Sequence, residues 1–149
     1  MIQDQITKDL KEALLQGDKV KATVLRGLKS VIGYAEVAAG KRDSGLEDKE
    51  VIALFQKEAK KRQESADLYL KAGDQERASK ELVEKRIIEV YLPAQLSEEE
   101  IAKHVDAVIA DLGISDNKAM GKVIASVKQR TGGAADGAVI ARLVKERLS

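Results

Sequence analysis

The chain contains a single proline in 149 residues, Pro93, and this scarcity limits the folds that are open to it. Proline lacks an amide proton and disfavours helix in the residue before it, so each proline tends to interrupt a helix. Because no other proline occurs, the stretches on either side of Pro93 can form long helices. Charged residues make up 34% of the chain and aromatic residues only 3%. Such a composition favours helices throughout, around a core of alanine, valine, isoleucine and leucine.

Four amphipathic segments precede Pro93, each with apolar residues at helical spacing. Gly17 ends the first segment and Asp18 begins the second. The apolar stripes of these two segments are Ile6, Leu10, Ala13 and Leu14, followed by Val20, Val24, Leu28, Val31, Ile32 and Ala35. The third segment begins near Glu47, and the fourth runs to about Leu92. Four such helices joined by short turns predict a helical bundle over residues 1–93.

Three shorter helical patterns follow Pro93. Ser97 precedes the first of them and has the spacing of a capping box with Glu100, and Gly113 closes it. The second pattern ends before Gly132-Gly133, where the backbone can become left-handed, and Asp136 is placed to cap the last helix. The predicted fold is therefore all-α, with an N-terminal bundle of about four helices followed by a small three-helix C-terminal domain over residues 94–149.

Charge divides sharply within the C-terminal part of the chain. The segment Leu96–Asp116 carries one lysine against six acids, whereas Asn117–Ser149 carries seven lysines and arginines against two acids. The formal net charge of +1 for the whole chain hides this division. A compact basic surface beside an acidic helix is typical of a module that binds an anion. The low aromatic content argues against the base-stacking surfaces of single-strand binders.

Several classes of chemistry are not supported by the residues. The absence of cysteine excludes disulfides and thiolate metal sites, and the one histidine, His104, has no neighbour at metal-ligand spacing. No nucleophile signature, phosphate-binding loop or dinucleotide motif is present. We therefore expect no cofactor, no metal and no catalytic residue. The chain also lacks an apolar run of membrane-spanning length and a signal pattern, so we expect a cytoplasmic protein that does not act at a membrane.

Five short motifs occur in a fixed order along the chain. They are V-L-R-G-L-K-S at 24–30, E-A-K-K-R-Q-E-S at 58–65, Y-L-P-A-Q-L-S at 91–97, M-G-K-V at 120–123 and A-D-G at 135–137. On these motifs the chain resembles the YqeY family, whose C-terminal half is related to the tail domain of the B subunit of the tRNA-dependent amidotransferase (GatB). The resemblance implies a helical bundle followed by a small helical domain. It also implies a link to tRNA, because the related tail domain helps to hold tRNA, while the catalytic machinery of that enzyme lies elsewhere.

The candidate nucleic-acid-binding residues combine this resemblance with the charge pattern. They are Lys122, Lys128, Arg130, Arg142 and Lys145, with Arg147 beside them, and two glycines, Gly121 and Gly133. Gly121 would permit close approach of a ligand or, as the favoured interpretation, of another helix. Family members often carry a basic residue at the positions of Gly132 and Ala134, and this chain has lost both. Lys128 and Arg130 lie just upstream and would compensate in part.

The leading hypothesis is a non-catalytic, tRNA-binding-like accessory protein that contacts phosphates rather than base edges. The bundle would serve as a scaffold or as an arm for a protein partner. One alternative is a protein–protein adaptor, and another is a carbon–nitrogen ligase using glutamine as amido donor, for which the residues offer no catalytic constellation. The leading hypothesis requires that the basic side chains share one surface and are not occupied by ion pairs with the acidic segment. A second basic run, formed by Lys57, Lys60, Lys61 and Arg62, is interpreted as structural rather than as a contact for a nucleic-acid backbone, with Arg62 either burying its stem or paired within the bundle.

Overall fold

In the computed structural model, which describes residues 1–148, the chain forms seven α-helices and no strand. The prediction of an all-α fold is confirmed. The chain divides into two compact units, Met1–Leu92 and Pro93–Ser149. Ser149, the last residue of the predicted C-terminal domain, lies outside the described residues. None of the helices found in residues 1–148 is both long and apolar enough to cross a membrane.

The first unit contains four helices. They are α1 (Ile2–Gln16), α2 (Lys19–Ala38), α3 (Asp48–Lys71) and α4 (Gln75–Glu89). Gly17 takes a left-handed conformation with φ 74°, which ends α1 and lets the chain reverse. The carboxylate of Asp18 then accepts a hydrogen bond from the Lys21 amide, and that of Asp74 accepts one from the Arg77 amide, so side chains cap α2 and α4.

The core of the first unit is aliphatic around one aromatic residue, Phe55, which is fully buried. Tyr91 packs edge-on against Phe55, with ring centroids 6.1 Å apart and an interplanar angle of 72°. The Tyr91 hydroxyl donates a hydrogen bond of 2.5 Å to the carboxylate of Asp9 on α1. Burial, together with this carboxylate, raises the pKa of Tyr91 above its usual value. The segment after α4 is therefore held against α1 by both packing and a hydrogen bond.

Three sequence-based expectations for the first unit are wrong in detail. Helix α4 ends at Glu89 rather than near Leu92, because the amides of Tyr91 and Leu92 form turn hydrogen bonds to Ile88 and Glu89. Leu14 and Val20, both assigned to apolar stripes, are 51% and 47% exposed. Helical spacing identifies which side of a helix carries apolar residues, but it does not show how wide the buried part of that side is. The buried faces of α1 and α2 are narrower than their sequences suggested.

The second unit contains three helices and a short 3₁₀ turn. They are α5 (Glu98–Leu112), the 3₁₀ turn (Asn117–Ala119), α6 (Met120–Thr131) and α7 (Gly137–Arg147). The Ser97 hydroxyl accepts from the Glu100 amide at the start of α5, and Gly113 closes α5 in a left-handed conformation. Both ends of α5 therefore agree with the sequence. The three helices share a core of isoleucine, leucine and valine that excludes every charged residue.

Candidate nucleic-acid interface

The loop between α6 and α7 is held in one geometry by its backbone and by one carboxylate. Gly132 and Gly133 have φ values of 56° and 90°, a region that strongly favours glycine. The carbonyl of Ala134 accepts a hydrogen bond of 2.7 Å from the Leu96 amide. Asp136 then caps α7, since its Oδ1 accepts from the Ala138 amide at 2.7 Å. The G-G-A-A-D-G stretch is therefore a structured turn that leads into a helix N-terminus.

Lys128 brings a positive charge to this turn. A Cβ atom built on Gly137 would lie 3.4 Å from Cε and 3.5 Å from Nζ of Lys128. The ammonium group thus lies beside the first residue of α7, where a residue without a side chain leaves room for it. Helix N-termini carry partial positive charge, so Lys128 adds to a local field that attracts anions, while Asp136 opposes it.

Arg142, another of the predicted site residues, is engaged by acidic side chains. Its Nη2 donates a short, charge-assisted hydrogen bond to Glu98, which lies in the first turn of α5. Its Nη1 donates to Glu146 at 3.2 Å. The hydrogen bond to Glu98 raises the pKa of Arg142 above its usual value, and the hydrogen bond to Glu146 makes a smaller contribution in the same direction. The guanidinium is therefore already in contact with two carboxylates on the protein surface.

The two remaining arginines of the basic segment also reach α5. Arg147 Nε donates to Asp106 at 2.5 Å, and Arg130 Nη1 lies 3.7 Å from a carboxylate oxygen of Asp111. The carboxylates of both pairs are well exposed to solvent. Such pairs add little stability, and dissolved salt screens them. The acidic helix therefore neutralises much of the positive charge that the sequence placed on α6 and α7.

The three lysines of the predicted set differ from the arginines. Lys122, Lys128 and Lys145 are exposed, and none of them forms an ion pair with another residue in the described part of the chain. The predicted basic set therefore divides into two groups, with lysines open to solvent and arginines paired with α5. The condition that the cations be unpaired holds only for the lysines.

The two candidate glycines have different surroundings. A Cβ atom added to Gly121 would meet no atom within 4 Å, and the residue lies on the exposed side of α6. The favoured interpretation of Gly121 as a tight contact between helices is therefore wrong within residues 1–148. Gly133 supplies the second left-handed residue of the loop, so its first role is turn geometry.

The second basic run has a structural role at its end, as expected. Arg62 Nε lies 3.1 Å from Glu84 on α4, and its Nη1 lies 3.6 Å from Glu58. Lys61 also pairs with Glu58, at 3.3 Å. The contact with Glu84 ties α3 to α4, whereas the two contacts with Glu58 lie within α3. Across residues 1–148, no group of three or more histidine, aspartate or glutamate side chains is arranged to hold a metal ion.

Sequence reasoning missed the contact between Lys128 and Gly137. The only available signal was the glycine directly after the capping aspartate, in the A-D-G motif. It could not reveal which side chain would occupy the space. The acidic partners of the arginines were visible as a charge excess in α5, but their individual assignment required the folded structure.

Comparison with known proteins places the chain in a protein family. The family described as Yqey-like protein matches residues 3–148. Two curated relatives share the name "Altered inheritance of mitochondria protein 41, mitochondrial" and come from Eremothecium gossypii and Vanderwaltozyma polyspora. They are 33% and 31% identical to this chain over 109 residues. The match covers 72% of this chain and 58% of each relative, so the chain spans less than two thirds of their length.

Proposed function

This chain belongs to the YqeY family, and from that premise we propose that it is a non-catalytic accessory protein that binds the backbone of a folded RNA such as tRNA. Lys122, Lys128 and Lys145 contact phosphates of the RNA. One of these phosphates lies against the loop at 132–136 and the first turn of α7. The bases are not read. The bundle of the first unit acts as a scaffold or as an arm for a protein partner.

The position of Lys128 is the observation that carries the proposal. Its ammonium lies beside Gly137 at the N-terminus of α7, so a lysine charge adds to the positive end of the helix dipole there, while the Ala138 and Val139 amides are bonded to Asp136. The family pattern often places basic residues in the loop itself, and here Lys128 supplies a charge to the same loop from the preceding helix. Arg130, the other expected substitute, pairs with Asp111 instead.

Charge reversal at Lys128 tests the proposal directly. Lys128→Glu should weaken the binding of bulk tRNA. It should also make the slope of log K against log salt concentration shallower by about 1, because one phosphate contact is lost. Filter binding over a salt series measures both quantities. Lys103→Glu is the matched control, since Lys103 is an exposed lysine of α5 in the same unit. No measurable tRNA binding at low salt, or an equal loss in both variants, would falsify the proposal.

A groove on the first unit favours a second candidate function, that of a protein–protein adaptor. The groove measures about 320 Å³ and is lined by Asp9, Lys21, Val83, Arg86, Ile87, Val90 and Tyr91. Val90, one of the lining residues, is 76% exposed. The apolar lining between Lys21 and Arg86 suits a partner helix that presents an apolar side chain next to a carboxylate.

The adaptor function has its own test. Cross-linking in cells would identify proteins bound to the wild type, and Val90→Glu should remove the specific partner. Leu15→Glu is the control, because Leu15 is another exposed apolar residue, 81% accessible, that does not line the groove. A partner lost equally with both variants, or with neither, argues against the groove.

The proposal includes a cytoplasmic location and no chemical step. The names of the two curated relatives place those proteins in mitochondria, so location is a point on which this chain and its relatives can differ. Fractionation of cells that express the chain checks this part of the proposal. The ligase alternative predicts that this chain alone converts glutamine to glutamate in the presence of ATP and a charged tRNA, with the amide nitrogen passing to the acceptor, and an assay of glutamate formation measures this turnover.

A further inference from the structure

Helix α2 carries an excess of positive charge. It contains four lysines and arginines and a single acid, Glu36, whereas the whole chain is nearly balanced, with 26 basic against 25 acidic residues. Lys19, Arg26 and Lys29 are exposed, and none of them forms an ion pair within residues 1–148. In this they differ from Arg142 and the other arginines that pair with α5. The helix therefore presents cations that remain available to an external anion.

These cations do not stabilise the helix that carries them. Lys19 lies in the first turn of α2, where the partial positive charge of a helix N-terminus favours carboxylates instead. Arg26 and Lys29 have no acid three or four positions away, and at that spacing they repel each other. On α3, by contrast, Lys60 has Glu64 four positions further on. The stability of α2 therefore does not explain its charge.

Two glycines open the backbone of α2 beside these cations. Gly27 and Gly33 lie inside the helix, where glycine is less favourable than alanine. A Cβ atom built on either glycine would meet no atom within 4 Å, so packing in the described part of the chain does not require them. Gly27 follows Arg26, and Gly33 lies one turn after Lys29. Glycine at such a position allows the backbone of another molecule to approach closely.

Hydroxyl groups continue this side of the helix. Arg26, Ser30 and Tyr34 recur at intervals of four residues, so their side chains lie in one row, with Lys29 beside it. Ser30 and Tyr34 are exposed, and their hydroxyls form no hydrogen bond to any residue from 1 to 148. Cationic and hydroxyl side chains are the usual contacts of phosphate and sugar oxygens in nucleic-acid complexes. The row therefore offers donors of the kind that hold an RNA backbone.

We propose that this α2 surface, formed by Lys19, Arg26, Lys29, Ser30 and Tyr34, is a second contact for the phosphate backbone of the bound RNA. The inference rests on the proposed function and extends the RNA contact to the first unit. Lys19 and Lys29 are about 15 Å apart along the helix axis, a length over which one strand presents several phosphates. The contact does not read the bases.

One acid limits the extent of the α2 surface. A groove of about 110 Å³ between α1 and α2 is lined by Lys29 and Gly33, and Glu36 also lines it. The carboxylate of Glu36 repels an anion, so the RNA contact lies on the side of Lys29 where Arg26 and Ser30 are found.

Other anionic partners fit the α2 surface less well. An anionic membrane would require leucine, phenylalanine or tryptophan beside the cations, and the two leucines of α2, Leu25 and Leu28, are buried in the core. The carboxylate of an acidic protein segment stands at the end of a side chain and does not need an open helix backbone. In RNA the charge lies on the backbone itself, which the space at Gly27 and Gly33 allows to come close.

Filter binding of bulk tRNA over a salt series tests the charge of the α2 surface. The test variant carries Lys19→Gln, Arg26→Gln and Lys29→Gln. It should bind about tenfold or more weakly at low salt, and the slope of log K against log salt should become shallower by about 2–3, because three phosphate contacts are lost. The matched control carries Lys57→Gln, Lys60→Gln and Lys80→Gln, at exposed and unpaired lysines of α3 and α4, and should bind nearly as the wild type does.

The outcomes separate this inference from the proposed function. If Lys128→Glu weakens binding and the α2 variant binds as the wild type does, the inference fails and the proposed function stands. If only the α2 variant weakens binding, the RNA contact lies on α2 and the proposed contact at α7 fails. An equal loss in the α2 variant and its matched control, or no tRNA binding by the wild type, overturns the inference.

Photo-cross-linking tests the position of the contact independently of charge, because the chain has no cysteine of its own. Ser30→Cys protein labelled with an aryl azide should cross-link to radiolabelled tRNA on illumination. Ser79→Cys, at an exposed serine of α4, is the control and should give little product. Equal cross-linking at the two positions, or none from Ser30→Cys, overturns the inference.

Discussion

At the scale of single residues, the carboxylate of Glu98 competes with any anion for Arg142. Glu98→Gln should remove the charged partner of Arg142 on α5 and leave the pair with Glu146, so the affinity for tRNA should rise and the slope of log K against log salt should steepen by up to about 1. Filter binding measures both. Glu99→Gln is the matched control, because Glu99 also lies in the first turn of α5 but forms no ion pair within residues 1–148. An equal gain from the two variants would mean that net charge alone, and not the release of Arg142, controls binding.

Tyr91 allows a second prediction at this scale. Tyr91→Phe removes the hydrogen bond to Asp9 and should lower the free energy of unfolding by about 1 kcal/mol at neutral pH. Because the folded state raises the pKa of Tyr91, the stabilisation is complete below about pH 10 and is lost as pH rises further. Urea unfolding at neutral and alkaline pH should show this loss in the wild type and not in the variant. Tyr34→Phe, at an exposed tyrosine, should behave as the wild type does; the same alkaline loss in Tyr91→Phe would contradict the assignment.

The candidate site could be predicted only in part from its residues. The sequence identified the left-handed turn at Gly132 and Gly133 and the cap at Asp136, because each depends on residues within one helical turn. It could not separate available cations from paired ones. Arg142 and Glu98 are 44 positions apart, and Arg147 and Asp106 are 41 apart, so no local pattern connects them.

At the scale of elements, glycines with different backbone conformations should respond in opposite ways to the same substitution. Gly121→Ala should stabilise α6 by up to about 1 kcal/mol, since the position is helical and exposed and the added methyl meets no neighbour. Gly132→Ala should destabilise by about 1–2 kcal/mol, because φ of 56° disfavours an L side chain. Urea unfolding followed by circular dichroism compares the two. Changes of the same sign would contradict the backbone argument.

Helix α2 shows how an element can be placed correctly and its faces assigned incompletely. The sequence placed the start of α2 at Asp18, and the structure agrees, since Asp18 caps the helix. Val20 was nevertheless assigned to the buried stripe, whereas it is 47% exposed. A helix with apolar residues on two sides has no unique inner face until its neighbours are known, which is a tertiary property.

At the scale of the whole molecule, the distribution of charge sets the strength of the proposed RNA contact. The three available lysines of the second unit by themselves predict a slope of about −3 in log K against log salt, or an affinity loss of about 40-fold for a fourfold rise in salt. If all six cations of α6 and α7 contacted phosphate, the slope would be near −5. A filter-binding series with bulk tRNA distinguishes the two in protein whose α2 cations are neutralised. A slope near −5 there would mean that the arginines leave their carboxylates on α5 when RNA binds.

The sequence by itself determined the helices of this protein, most of their caps, the left-handed glycines and the opposite charges of the segments that become α5 and α6–α7. These features arise from interactions over a few residues, which the local sequence contains. Only the tertiary structure decided that Lys128 lies beside Gly137, that the arginines pair with α5, and that one face of α2 remains uncovered. Those outcomes depend on which helices pack together, because packing brings distant side chains within a few ångströms and leaves others in solvent.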